Sequence, residues 1–374
     1  MDLHVVSFNV PWPADYGGVI DVFYRCKALS AMGVRIHLHC YCYGRKPAPE
    51  LEEYCVEVNY YERDCSPLNL FTKRPYIVSS RQSSELLGRL LRDDYPVILE
   101  GLHCCWLLEQ LRGADHARII VVRAHNVEHD YYSRLAQSES KRVKRPYLTM
   151  EAKKLERYEP VLLMASYVMA VTEADAAHFR SMGCDNVVVI PSSHCYENLS
   201  CEPGRGGFAL YHGNLSVPEN IEAARYLMEQ VFVDDCYPLT LAGMNPDATL
   251  VQMAKERPWV TLVPNPDDAT MNKLLREAQI NVLVTAQPTG LKLKLLNSLY
   301  SGRHCLVNSD MVAGTSLGAL CTVADTPQEL RAAVADLFVK EFASDDVERR
   351  CNLLGETYNN ACNARRLITL LKKS

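Results

Sequence analysis

The chain has 374 residues, 48% of them hydrophobic and 23% charged, the balance of an ordinary folded protein with room for two domains. Its formal net charge of −5 argues against nucleic acid as a partner, because general nucleic-acid binders concentrate basic surface. The 15 cysteines are scattered without the paired spacing of a zinc site, so no metal is expected and most should be small buried hydrophobes in a reducing cytoplasm.

Met1-Asp2-Leu3-His4 has no basic leader, the first apolar run stops at Pro11, and no apolar span reaches bilayer length. A soluble cytoplasmic protein is therefore expected, at most peripheral to a membrane. The pattern opens with a strand over Leu3–Val10, a loop over Pro11–Gly18, a helix over Val19–Met32 ending at Gly33, and a strand over Arg35–Tyr43. Gly17-Gly18 then falls at the first strand-to-helix turn, where the missing Cβ lets backbone approach a ligand, although a plain turn needs the same residues. Strands follow at Cys55–Tyr61, Pro96–Leu102 and Arg118–Ala124, with a helix over Ser83–Arg92. The strand ending at Ala124 delivers His125, Asn126 and Glu128 to its C-terminal end, the ligand-binding edge of an open parallel sheet.

The most basic part of the chain is 141–157, with Lys141, Arg142, Lys144, Arg145, Lys153, Lys154 and Arg157. It reads as a solvated helix face, or as a contact with an anionic membrane surface or acidic lipid-linked substrate. A strand at Tyr167–Thr172, a helix at Glu173–Met182 and a strand at Asn186–Ile190 complete the first alternation. Residues 196–207 are polar and glycine-rich and read as a linker between a domain at 1–195 and another at 208–355. The second alternation has strands at Phe208–His212, Leu239–Ala242 and Val260–Val263, and helices over Pro218–Phe232 and Met271–Ala278. A terminal helix, Asn352–Lys373, is expected to cap one domain, with 356–374 set apart from both.

Residues 282–302 have the most to say about chemistry. A buried strand ends at Thr285, Gln287-Pro288-Thr289-Gly290 is turn chemistry, and Leu291–Tyr300 reads as a helix stopped by Gly302. Lys292 and Lys294 stand where that helix starts. Lysine opposes the positive end of a helix dipole, so two of them beside free amides point to an anion site.

Taken in order, several segments resemble the GT-B glycosyltransferases, specifically the large retaining group called family 4. They are Gly17-Gly18, His125-Asn126-Val127-Glu128, Val171–Asp175, Val189-Ile190-Pro191, Tyr211–Asn220, Val260–Pro264 and Gly290–Gly302. The resemblance runs almost end to end. It implies an α/β fold of two Rossmann-like domains facing each other across a cleft. It also implies transfer of a sugar from a UDP- or GDP-linked donor to a glycan or lipid-linked acceptor, with retention and without a metal or other cofactor. By resemblance, Lys294 and His125 are the catalytic candidates: Lys294 meets the diphosphate and His125 faces the sugar. Lys292, Gly290, Leu291, Gly213, Asn214 and Gly18 approach the donor, Val263 and Pro264 hold its base, and Gly17, Asn126 and Glu128 lie on the acceptor side. The family usually carries two glutamates around its glycine loop. Here Asn297 stands at one such position and Gln287 and Thr289 at the other, while Asn214 replaces a common phosphate-binding basic residue. An amide accepts hydrogen bonds less strongly than a carboxylate. A GT-B protein that binds a nucleotide sugar or a partner transferase without catalysis is therefore the alternative. A nucleotide-sugar epimerase fits less well, for want of acid/base carboxylates.

Overall fold

The computed structural model describes residues 1–114, 117–139, 144–288 and 290–372. They form two compact units. The first contains residues 1–195, 290–291 and 357–372, and the second 196–288 and 292–356.

The first unit is built on seven parallel strands: β1 (Asp2–Ser7), β2 (Arg35–Cys42), β3 (Glu57–Glu62), β4 (Val97–Glu100), β5 (Ile120–Ala124), β6 (Tyr167–Ala170) and β7 (Val187–Val189). Their order is β3-β2-β1-β4-β5-β6-β7. Every residue of β4 and β5 is buried, which explains why their sequences are nearly continuous apolar runs. His4 of β1 pairs with His37 on one side and Val97 on the other, so the winding reverses beside β1 and leaves a switch point at its C-terminal end. β1 ends at Ser7, short of the expected Val10. Ser7 Oγ donates to the Asn9 carbonyl at 2.5 Å, and Asn9 Oδ1 accepts from the backbone N–H of Val10 and Tyr43. These local side-chain bonds take the place of the ladder.

Gly17 and Gly18 are not a turn. They are the first two residues of the helix Gly17–Ser30, which starts at Tyr16 without a side-chain cap. A Cβ on Gly18 would lie 2.7 Å from Cζ of Phe8, so this glycine makes room for an aromatic ring.

The second unit has six parallel strands: β8 (Ala209–His212), β9 (Leu239–Gly243), β10 (Val260–Pro264), β11 (Ile280–Leu283), β12 (His304–Val307) and β13 (Thr322–Val323). Their order is β10-β9-β8-β11-β12-β13, with its own switch point between β8 and β11. Residues 196–207 group with this unit. The N–H groups of Ser200 and Cys201 both donate to the Tyr300 carbonyl, and Gly204 bridges to Phe342. Gly302 ends its helix with φ −98°, not in the left-handed region. It is glycine for space, since a Cβ there would lie 2.1 Å from Nδ2 of Asn281.

Gly243 is more confined still, because a Cβ on it would lie 1.7 Å from the Gly213 carbonyl oxygen. Gly243→Ala must push the ends of β8 and β9 apart. The expected cost is about 1–3 kcal/mol, read as a lower urea midpoint at unchanged slope. A wild-type midpoint would contradict this packing.

The expected terminal helix is two helices, Ser344–Thr357 and Asn360–Leu371, the second capped by Asn359 Oδ1 accepting from the Cys362 N–H at 2.9 Å. The break separates two attachments. Arg350 is buried in the second unit and donates to the carbonyls of Leu299 and Gly302, whereas Ala364, Leu367 and Leu371 join the first unit's core. The cysteines depart from expectation: seven are buried, four partly buried and four exposed. No helix among the described residues is long and apolar enough to cross a membrane.

Candidate functional site

At the C-terminal edge of the first sheet, the helix Gly17–Ser30 brings Asp21 and Arg25 against the ends of β4 and β5. Asp21 Oδ2 accepts from Arg25 Nη1 at 2.9 Å and from Arg123 Nε at 2.8 Å, and its Oδ1 accepts from the Ser193 N–H at 2.7 Å. Arg25 also donates to Glu100 through Nη2. Asp21, Glu100 and Arg123 are fully buried and Arg25 nearly so. Burial alone would lift Asp21, but the guanidinium groups of Arg123 and Arg25 overcome it and hold the carboxyl below its ordinary range. The same contest leaves Glu100 lowered, with burial opposed by Arg25 and by the bond to His125.

His125 stands on this charged floor. Its Nε2 is 3.1 Å from Glu100 Oε2, and its Nδ1 is 3.5 Å from Asp21 Oδ2. Both ring nitrogens therefore face buried carboxylates, the Asp21 contact being longer than a usual hydrogen bond. Phe8 meets the ring edge-on at 5.6 Å. Glu128 begins the next helix and is buried. Desolvation, reinforced by Glu159, pushes it up to about 8, so at neutral pH it is largely a neutral acid. Glu159 accepts from His129 Nδ1 at 2.8 Å and from His178 Nε2 at 3.1 Å. Asp21, Glu100 and His125, like His129, Glu159 and His178, present metal-capable atoms within 4.8 Å of one another. In the first group Arg25 and Arg123 already supply the compensating charge.

At the edge of the second sheet, the helix starts at Leu293, two residues later than expected. Lys292 is its extended N-cap residue and Lys294 lies in its first turn, with no side-chain cap and no acidic residue there. Lys294 Nζ donates to Asn220 Oδ1 at 3.1 Å and sits 5.3 Å from the Tyr211 ring centre. Burial pulls its pKa down to about 8, against the attraction of Glu219 and with help from Lys292. Glu219 accepts from the Thr285 hydroxyl, and Thr285 Oγ1 accepts from the Gln287 N–H at 3.0 Å. His212, kept neutral by burial, lies 3.0 Å from the Ser298 hydroxyl through Nε2. Gln287 Oε1 and Asn297 Oδ1 are shielded from solvent yet have no hydrogen-bond partner among the described residues. Such orphaned acceptors are rare in folded proteins.

Asn220 joins Gly213, Asn214 and Lys294 at the end of β8, and Thr285 joins Gln287 to Glu219 at the end of β11, while Lys292 and Asn297 lie on the helix of Lys294 and Val263 and Pro264 end β10. Asn214 is committed locally, its Oδ1 accepting from the N–H and hydroxyl of Ser216. Gly290 has a left-handed φ of +69° and groups with Leu291 in the first unit, while Thr289 lies outside the described residues. Gly17, Gly18, His125, Asn126 and Glu128 belong to the first unit. The sequence reading missed Asp21, Glu100, Glu219, Asn220 and Ser298. Only the Asp21–Arg25 spacing, one helical turn, offered a local signal.

No family model matches the chain. An uncharacterized 44.6 kDa protein in the cps region of Klebsiella pneumoniae is 22% identical over 333 residues, covering 84% of this chain and 83% of that protein. The apo structure of OtsA superposes with a TM-score of 0.66 at 11% identity over 100% of both chains. The lipopolysaccharide outer core galactosyltransferase WaaB, also apo, gives 0.65 at 12% identity over 99% of each. A trehalose-6-phosphate protein from E. coli bound with UDP-2-fluoro glucose gives 0.66 at 12% identity, covering 100% of this chain and 99% of that one. The fold is GT-B. The expectation of an α/β protein with two Rossmann-like domains is met.

Proposed function

We propose that this protein moves a hexosyl group from a UDP- or GDP-linked donor to a hydroxyl of a glycan or lipid-linked acceptor, with retention, in the manner of family 4. The observation that carries the reading is a cation and two orphaned acceptors at one sheet edge: Lys294 in an uncapped first turn, with Gln287 Oε1 and Asn297 Oδ1 lacking partners. Lys294, aided by Lys292 and the open helix amides, meets the diphosphate as charge develops on it during bond cleavage. The two amide oxygens accept from donor hydroxyls, and the backbone at Val263 and Pro264 holds the base. In the first unit, His125 is the candidate group for the transferred sugar, and Gly17, Asn126 and Glu128 are the candidates for the acceptor.

These cationic groups supply the field that a divalent metal provides elsewhere, so no metal or organic cofactor is invoked. The relative from a cps region and the likeness to WaaB support surface-polysaccharide synthesis at the cytoplasmic side of a bacterial membrane. Purified protein incubated with UDP- and GDP-hexoses is expected to release the free nucleotide slowly, and faster with an acceptor glycan. Asn297, an amide where the family usually has a glutamate, favours the second reading, in which the nucleotide sugar is bound without transfer. Saturable binding with no nucleotide release under any acceptor would establish that reading instead.

A further inference from the structure

The helix Lys144–Tyr158 and the turn Pro67–Phe71 are joined on the first unit's surface. Lys154 Nζ donates to the Leu70 carbonyl at 2.7 Å, and Glu151 Oε2 accepts from the Tyr76 N–H at 2.6 Å. The buried side of the helix is used up in these contacts. Its outer side carries Arg145, Thr149, Lys153 and Arg157, each four residues apart, which places them along one stripe. A shallow groove beside that stripe is lined by Arg145, Met150, Lys153 and Arg157 among others. Phe71 is 85% exposed, Leu68 76% and Met150 41%.

Segments 67–74 and 144–157 hold seven basic residues (Lys73, Arg74, Lys144, Arg145, Lys153, Lys154, Arg157) against two acidic ones, Glu151 and Glu156, in a chain whose net charge is −5. Lys73, Lys144, Arg145, Lys153 and Arg157 are all exposed, and no ion pair holds them among the described residues. Glu151 is already neutralised by Lys154 at 2.8 Å. A solvated helix face accounts for the cations but not for two large apolar side chains held out on a neighbouring turn.

We propose that this face docks on an anionic phospholipid bilayer, with Phe71 and Leu68 inserting among the headgroups and acyl chain ends while Arg145, Lys153 and Arg157 lie against lipid phosphates. The chemistry of the face selects that occupant. Unpaired cations beside protruding apolar side chains match a surface that is negative at the rim and hydrocarbon beneath. Attachment is peripheral and salt-sensitive, since exposed charges act over about a Debye length, roughly 8 Å at physiological ionic strength. The inference does not depend on the transfer reading and would hold for a protein that only binds nucleotide sugar.

The test is co-sedimentation of the full chain with vesicles of phosphatidylcholine alone or mixed with phosphatidylglycerol. Binding is expected only to the mixed vesicles and should fall as salt rises. The double change Lys153→Glu, Arg157→Glu should weaken partitioning by about thirtyfold or more. Phe71→Ser, on the separate turn, should weaken it by about tenfold. Because all three residues are exposed, unchanged thermal melts will show that the variants fold. Equal binding to both vesicle types, no binding to either, or undiminished binding by the folded variants would overturn the proposal. So would self-association without lipid that Phe71→Ser abolishes, since the occupant would then be a second copy of the chain.

Discussion

Asp21→Asn is expected to lower the unfolding free energy by about 3–5 kcal/mol at neutral pH, the cost of breaking a buried ionic network by removing one partner. Asn preserves the shape and can still accept from the Ser193 N–H. It removes the charge that Arg25 and Arg123 both address, at 2.9 and 2.8 Å. Glu100 then remains as the buried carboxylate facing two guanidinium groups. Against a typical stability of about 5–15 kcal/mol, a loss of this size is large. The pH dependence gives an independent check. Asp21 is depressed in the folded state, so its stabilisation is complete above the unfolded pKa of about 3.9 and is lost as pH falls below it. Urea titrations of wild type and variant should therefore differ most at neutral pH and converge in acid. A constant gap across that range would show that the lost stability is not ionic.

Lys294→Ala is expected to reduce the rate of sugar transfer by about 10²–10³, the loss seen when a preorganised group stabilising developing charge is removed. The effect should appear mainly in kcat, because Lys294 meets the diphosphate most strongly as the leaving charge forms. Its pKa near 8 adds a signed expectation. Between pH 7 and 9 the ammonium loses its proton, so diphosphate affinity should fall as pH rises, and binding above pH 8 should take up a proton. Calorimetry in buffers of different ionisation enthalpy would measure that uptake. Affinity unchanged between pH 7 and 9 in wild type would place the phosphates elsewhere.

Much of the fold was legible because fully buried parallel strands write themselves as apolar runs. Pro96–Leu102 and Arg118–Ala124 read as strands without a partner in view, and the structure trims them to Val97–Glu100 and Ile120–Ala124. The boundaries that failed were decided by contacts distant in sequence or by side chains reaching backbone. The diglycine reads as a turn, plain or ligand-facing, whereas it starts a helix and Gly18 is small to admit Phe8. The terminal helix reads as one because its periodicity runs through, and the Asn359 cap that divides it is a single residue. In the candidate site, the exposed logic of Lys292 and Lys294 could be read from their place at a helix start. The floor beneath His125 could not. Glu100 closes an apolar strand 25 residues before His125, and nothing local distinguishes it from a surface glutamate until the strands pair.

On the proposed function, the second unit's sheet edge holds a nucleotide diphosphate through Lys294, Gln287 and Asn297. Isothermal calorimetry with UDP and GDP titrated into wild type and Lys294→Ala decides the matter. Saturable one-site binding of one nucleotide to wild type is expected, weakened in the variant by about 1.5–3 kcal/mol, the range for a hydrogen bond to a charged group. Equal affinity in the two proteins, or no binding of either nucleotide at millimolar concentration, would contradict it.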